Sequence, residues 1–381
     1  MTTGDSSMRS NIVLLFLIIF IFTSCSDSTS NNPASEGSIK LLPPEDDKIY
    51  FAAYPAFLEM WEPDIDTVER ERIVTFEALA QKELTWASFS QYWADGIIYP
   101  LEAIHTIHDE GITPLIRFEP RSRVDGYIVE SVQEELFALQ NIIDGHFDTE
   151  LKKWAQNAKE DNIPLLIDFG VEVNGGWFPW NGLYNGGGTT DAYGDVDYPD
   201  GPERFKDAYR HIVRLFRDEG VRHVTWFFHV SMHTTEPADT WNEPKMYYPG
   251  DAYVDWIGVS IYGELYPTLN YWDTFDEVLQ NNDAYKKVLE ISQNRPFAIL
   301  ELGVTDGSDD GSKKEWIEGA FSSIKAKRFI DFKAVNYWHE NWDNNGSLTL
   351  LKIDSSPEVL ETFQKEIADP VFISKGNFSG L

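Results

Sequence analysis

The chain of 381 residues is 42% hydrophobic, enough for a substantial core, and carries 63 acidic against 31 basic side chains for a net charge of −32. That balance argues against nucleic acid, whose binding needs clustered Lys and Arg, and against an acidic polysaccharide, and it fits a neutral ligand on a well-solvated acidic surface. The single cysteine, Cys25, leaves no internal disulfide and no cysteine-held metal cluster.

In chain order, Arg9 precedes an apolar run from Ile12 to Phe22. The run is too short to favour a spanning helix and reads as the core of a signal peptide, with Met8 as an alternative start. "FTSC" (22–25) resembles a bacterial lipobox, whose cysteine is lipidated and becomes the mature N-terminus. It implies a lipid anchor at Cys25 in a membrane of the bacterial cell envelope, facing the periplasm or the exterior. The expected organisation is a signal peptide over 1–25, a polar Ser/Asn-rich tether over 26–44, one domain over 45–370 and a tail over 371–381.

Within the domain, short apolar strands alternate with amphipathic helices. The predicted strands are "IYFAAY" (49–54), "LTWASF" (84–89), "TPLIRF" (113–118), "PLLIDFG" (164–170), "HVTWFF" (223–228), "DWIGVSIY" (255–262), "PFAILEL" (296–302) and "FKAVNYW" (332–338). Helices are predicted over 148–161, 201–220 and 312–327, among others. Eight strands with intervening helices predict an α/β fold, a single (β/α)8 TIM barrel. A doubly wound sheet would show a Gly-rich phosphate loop after its first strand, and here "PAFLEMWEPD" follows instead.

In such a barrel the C-terminal strand ends share one mouth. Glu172, in "VEVNGGWFPWNG", lies just past the fourth strand, and Glu301, in "FAILELG", ends the seventh. Strands four and seven face each other, so the two carboxylates can meet. Carboxyl groups about 5–5.5 Å apart are the arrangement for retaining glycoside hydrolysis. The apolar, aromatic setting of Glu172 is what a general acid with a raised pKa needs.

"EVNGGWFPWNG" resembles the acid/base segment of glycoside hydrolase family 26, the β-mannanase family, which typically carries "HEMNG" followed by aromatics. "YYPGDAYVDWIGVSIYG" (247–263) is similar to the family's sixth-strand segment and "RPFAILELG" to its nucleophile strand. The resemblance extends over about residues 48–365 and implies a retaining double displacement. By carry-over Glu172 is the acid/base, Glu301 the nucleophile, and Tyr262 the tyrosine that hydrogen-bonds the nucleophile. Two positions depart from the pattern: Val171 stands where a histidine is usual, and Asp168 where an arginine is common.

Around the mouth, Trp177, Trp180, Trp338 and Trp342 are candidates for stacking on sugar rings, with Trp338 at the subsite next to the cleavage point. Asn174, His229 and His339 are candidate hydroxyl ligands, and Tyr54, Gln91, Trp93 and Glu119 are further candidates from the early strands. Glu119 reads equally well as a salt-bridge partner of Arg117 or Arg121. The long loop 181–202 holds Asp191, Asp195 and Asp197 but no EF-hand pattern. His229 and His233 lack a third zinc ligand and no HExxH occurs. No metal and no cofactor are expected.

The leading expectation is an endo-acting hydrolase of a β-linked polysaccharide, β-mannan first, with β-1,3-xylan and mixed-linkage β-glucan as alternatives. A non-catalytic glycan-binding lipoprotein on the same barrel is the rival from another class. A structural envelope protein is a third reading.

Overall fold

The computed structural model describes residues 37–45, 47–58, 67–124, 127–233, 237–267, 271–344 and 346–380. The expected signal peptide, Cys25 and the first part of the tether lie outside the described residues.

Eight parallel strands form the barrel: β1 (Ile49–Tyr54), β2 (Trp86–Tyr92), β3 (Thr113–Glu119), β4 (Leu165–Phe169), β5 (Val224–Ser231), β6 (Trp256–Tyr262), β7 (Phe297–Gly303) and β8 (Phe332–Trp338). Each pairs with its sequence neighbour. β8 pairs back onto β1, with Tyr50 opposite Ala334 and Tyr54 opposite Trp338, which closes the cylinder. Outside it lie α1 (Arg70–Ala80), α2 (Leu101–His108), α3 (Asp148–Asp161), α4 (Asp200–Asp218), α5 (Phe275–Gln280), α6 (Lys313–Lys325) and α7 (Pro357–Ile367). Helix α4 shows why these segments are helical: Phe205, Ala208, Tyr209, Ile212, Val213 and Phe216 recur at three- and four-residue spacing and are all buried. The β5 to β6 connection differs from the ideal alternation, having the short 3-10 turns Thr240–Asn242 and Pro244–Tyr247 in place of a longer helix.

Strand alternation divides the core. Outward residues such as Ile116, Ile167 and Phe228 pack against the helices. Inward residues begin as an apolar plug of Tyr50, Trp86, Leu115, Leu166, Phe227, Trp256 and Leu300. Nearer the mouth the inward positions turn polar, with Ser90, Arg117, Asp168, His229, Ser260 and Asn336 all buried.

The folded body reaches beyond the expected 45–370 span. Leu41 is buried against the plug, and its carbonyl accepts the Trp256 indole N–H at 2.9 Å. The strand Phe372–Ile373 adds to β1. Lys40 N–H donates to Ser379 Oγ at 2.9 Å and Ser379 N–H returns to the Lys40 carbonyl at 2.9 Å. These segments seal the barrel end opposite the mouth, because the bottom edges of the strands would otherwise expose aromatic rings and unpaired backbone groups.

Candidate active site

A cleft of about 890 Å³ opens at the C-terminal strand ends, and both Glu172 and Glu301 line it. Each arrives there by a local irregularity. β7 contains a register shift: Val259 pairs with Ile299, but Ser260 pairs with Glu301. The extra residue, Leu300, points inward into the plug, and Glu301 then points inward as well, where strict alternation would send it to the helices. Gly258 makes room for the bulge, since a Cβ there would lie 2.3 Å from Leu300 Cδ1. Asn336 holds the bulge from β8, donating to the Leu300 carbonyl at 2.9 Å.

Glu172 follows a sharp turn off β4. Gly170 has φ +67° and a Cβ there would meet the Phe205 ring at 2.7 Å. Glu172 itself is left-handed, with φ 48°, a conformation costing a non-glycine residue on the order of 1 kcal/mol. The turn is closed by Gly175 N–H donating to the Glu172 carbonyl at 2.8 Å.

The two carboxylates have contrasting partners. Trp177 donates its indole N–H to Glu172 Oε2 at 2.7 Å. Burial and the charge of Glu301 push the Glu172 pKa up to about 7, against His229, Ser260 and Trp177, which favour the ionised form. Glu301 Oε2 accepts the Tyr262 hydroxyl at 2.8 Å, and Oε1 lies 3.1 Å from the Arg117 guanidinium. Burial, Glu301 and Glu172 hold the Tyr262 phenol well above its ordinary pKa, so it is a donor to Glu301. Arg117 also donates to Ser90 Oγ at 3.0 Å, pairs with Glu119 at 3.5 Å, and lies 4.7 Å over the Trp338 ring. Burial opposes its charge, and Glu119 and Glu301 outweigh burial.

Trp177, Tyr262, Trp338 and Trp342 line the cleft. Trp338 is fixed from behind by Tyr54, stacked at 4.1 Å and 5°, and by Glu340, which accepts its indole N–H at 2.8 Å. Other expected contact residues lie elsewhere. Trp180 is 1% exposed, stacks on Phe178 and donates to the Val171 carbonyl at 2.7 Å. The Asn174 amide is held by Ser231, donating to its carbonyl at 3.0 Å and accepting its N–H at 2.8 Å. It borders an adjoining cavity of about 490 Å³, whose lining includes neither carboxylate.

His229 lies beneath the cleft floor, with both ring nitrogens engaged by Asp168 and Ser260. His339 is buried, and its Nδ1 accepts the Ile353 N–H at 3.0 Å. Trp93 belongs to the outer core with Phe118 and Phe137. Gln91 bonds Trp154 at 3.2 Å. Glu119 is pinned by Arg121 at 2.7 Å. In loop 181–202 the buried Asp200 accepts from Thr189 Oγ1 at 2.6 Å and Ala192 N–H at 3.1 Å. Among the described residues no three His, Cys, Asp or Glu side chains converge as a metal site.

Arg117 is the cleft residue whose importance the sequence understated, having been read only as a partner for Glu119. Its inward parity with Leu115 was the available signal. Arg121, Phe178, Tyr266 and Tyr271 complete much of the wall. The positive charge beside Glu301 thus comes from β3, while Asp168 on β4 faces His229. Val171 is buried in the outer core.

The sequence model described as Glycosyl hydrolase family 26 matches residues 123–349. Endoglucanase H of Acetivibrio thermocellus is 29% identical over 229 residues, covering 60% of this chain and 23% of that protein. Mannan endo-1,4-beta-mannosidase of Bacillus subtilis is 25% identical over 275 residues, covering 68% of this chain and 61% of its own length. The chain therefore spans less than two thirds of either relative. Among solved structures, the GH26 β-mannanase BoMan26A of Bacteroides ovatus superposes with a TM-score of 0.58 at 16% identity, covering 86% of this chain and 90% of that one. At that identity the likeness is one of fold.

Proposed function

The chain belongs to glycosyl hydrolase family 26, whose model matches more than half of it, and from that premise we propose a retaining hydrolase of β-linked polysaccharide with Glu172 as acid/base and Glu301 as nucleophile. The observation that carries the reading is the unequal pair of carboxylates on one cleft. Glu172 is held near a pKa of 7, where it can give and take a proton. Glu301 has a hydroxyl and a guanidinium at its two oxygens.

The Glu301 carboxylate attacks the anomeric carbon while Glu172 protonates the departing glycosidic oxygen, giving a covalent glycosyl-enzyme. Glu172, now a carboxylate, takes a proton from water, which attacks the same carbon and frees Glu301 with net retention. Trp338 and Trp177 supply flat faces for sugar rings beside the two carboxylates.

The substrate we put first is β-mannan, on the family resemblance and the Bacillus subtilis relative. A β-glucan backbone is the second reading, favoured by the 29% identity to Endoglucanase H. We also propose that Cys25 carries a lipid anchor to the bacterial envelope, on the apolar run and "FTSC" preceding it. Mass spectrometry of the mature N-terminus tests the anchor: an acylated Cys25 supports it, and an unmodified Met1 or Met8 start refutes it.

The function is tested by incubating the purified protein with β-mannans, β-glucans and β-xylans and following product anomers by NMR, beside Glu172→Gln and Glu301→Gln. Cleavage with initial retention, lost by roughly three orders of magnitude or more in both variants, is the expected result. Inversion, or undiminished activity in either variant, refutes the mechanism. Sugar-dependent tryptophan fluorescence without cleavage identifies a binding protein instead.

A further inference from the structure

Two cavities meet at the barrel mouth. The cleft over the carboxylates is lined from all eight strand ends or the connections after them. The adjoining cavity of about 490 Å³ is lined only from the connections that follow β4, β5 and β6. Ser231, His233 and Tyr271 line both, so the second opens off the first at the end of β5. Neither Glu172 nor Glu301 reaches it. A sugar chain laid across the two carboxylates therefore passes the opening without filling the cavity behind it.

The cavity's chemistry suits a neutral, hydroxyl-bearing ligand. Its lining mixes the apolar Met232, Pro244, Val278 and Val288 with polar side chains. Asp239 accepts the Trp241 indole N–H at 3.2 Å, and Asp273 accepts the Asn281 amide at 2.9 Å. A carboxylate has about four acceptor sites, so each keeps capacity for a hydroxyl donor. Glu243 pairs with Lys245 at 3.4 Å. Among the described lining residues Asp239 and Asp273 still outnumber the cation Lys287, a balance that disfavours an anionic ligand.

The walls are built in advance of any ligand. Asn242 fastens the β5 connection, donating to the Asn174 carbonyl at 2.9 Å and the Pro237 carbonyl at 3.0 Å. On the other side the chain passes through two consecutive left-handed residues, Asn282 (φ 52°) and Asp283 (φ 57°). Asn and Asp tolerate that conformation better than other side chains, and here it brings both Asn281 and Asn282 to the cavity.

We propose that this cavity receives a neutral monosaccharide branch carried by the polysaccharide backbone, so that the protein selects chains branched close to the bond it cleaves. Tyr271, 38% exposed at the opening, gives the branch a flat face, and Asp239, Asp273 and Asn281 take its hydroxyls. The inference rests on the hydrolase reading of the cleft and names a substrate class for it.

The test uses a β-mannan hexasaccharide with and without one galactosyl branch, and a β-glucan hexasaccharide with and without one xylosyl branch. On the backbone that is cleaved, kcat/KM of the wild type for the branched member should equal or exceed that for the unbranched one. Ala284→Trp fills the cavity from the short helix Ala284–Leu289, away from both carboxylates. Once shown to be folded by its melting curve, it should lose roughly tenfold or more on the branched member and nothing on the unbranched one. Asn281→Ala, which leaves the space open, should lose roughly two- to tenfold on the branched member alone, the scale of one neutral hydrogen bond.

A wild type that rejects the branch overturns the proposal, and so does an equal loss on both members in folded Ala284→Trp. A protein that binds these sugars and cleaves none defeats the hydrolase reading, while calorimetric affinities of the same pairs for wild type and Ala284→Trp still decide the pocket. A protein that binds none of them defeats both.

Discussion

Trp177 and Glu172 are joined by a 2.7 Å bond from the indole N–H to the carboxylate, so the ring that offers a flat face to the cleft also holds the carboxylate in place. Trp177→Phe keeps an aromatic face and deletes the donor. The lost bond favoured the ionised form, so the Glu172 pKa should climb above about 7. The basic limb of the kcat/KM profile should move to higher pH, and kcat/KM should fall about tenfold or more. An unchanged limb would mean that the indole N–H does not bear on Glu172 in solution.

Tyr262 and Arg117 act on opposite oxygens of Glu301. Tyr262→Phe removes the 2.8 Å donor with little change in volume. A hydrogen bond to a charged group is worth about 1.5–3 kcal/mol, so kcat should drop roughly 10–100-fold. KM should change little, as for an interaction with the reacting group rather than with bound sugar. Steady-state kinetics on a soluble substrate reads both.

Arg117→Met takes the guanidinium away from the buried Glu301 at 3.1 Å and from Glu119 at 3.5 Å, of which Glu119 keeps Arg121 at 2.7 Å. Removing one partner of a buried ionic cluster typically costs about 3–5 kcal/mol. The variant should melt well below the wild type and lose activity. Arg117→Lys should melt between them, since it keeps the charge but not the fork that reaches Ser90 and Glu301 together. Calorimetry on the three proteins checks the order.

His339 predicts an acid-sensitive component of stability. Burial, with Lys352 and Lys313 nearby, lowers its pKa to about 3, while the unfolded chain titrates near 6.5. Above about pH 6.5 neither state binds the proton and the contribution to stability is complete. As pH falls toward 3 only the unfolded chain takes it up, so stability is lost by up to about 1.4 kcal/mol per pH unit from this group. His339→Asn, which keeps an acceptor for Ile353 N–H, should flatten the slope of stability against pH over that window. An equal slope in both proteins would place the acid sensitivity elsewhere.

The barrel was legible because its strands are short apolar runs bounded by helix-end turns, and "IYFAAY" and "FKAVNYW" coincide with β1 and β8. The placing of Glu301 was only partly legible. Its strand end could be read, but period-two alternation sets it opposite Leu300, and only the bulge turns both inward.

Nearness in sequence to Glu172 was also a poor guide to which side chains reach the cleft. Asn174 and Trp180 flank the carboxylate, yet the amide of the first is tied to Ser231 and the indole N–H of the second to the Val171 carbonyl. His229 was read as a sugar contact because of its strand position, but it lies one inward position below the strand's end at Ser231. Arg117 became informative only once β2, β3 and β7 were brought together around it.

The exchange of bonds between Lys40 and Ser379 makes the order of the strands along the polypeptide separable from their order around the cylinder. With residues 38 and 379 already in contact through a 2.8 Å bond from Ser379 Oγ to the Ser38 carbonyl, a short linker can join the two segments. New ends opened near Val196, which is 71% exposed, would give a circular permutant in which every strand keeps both neighbours.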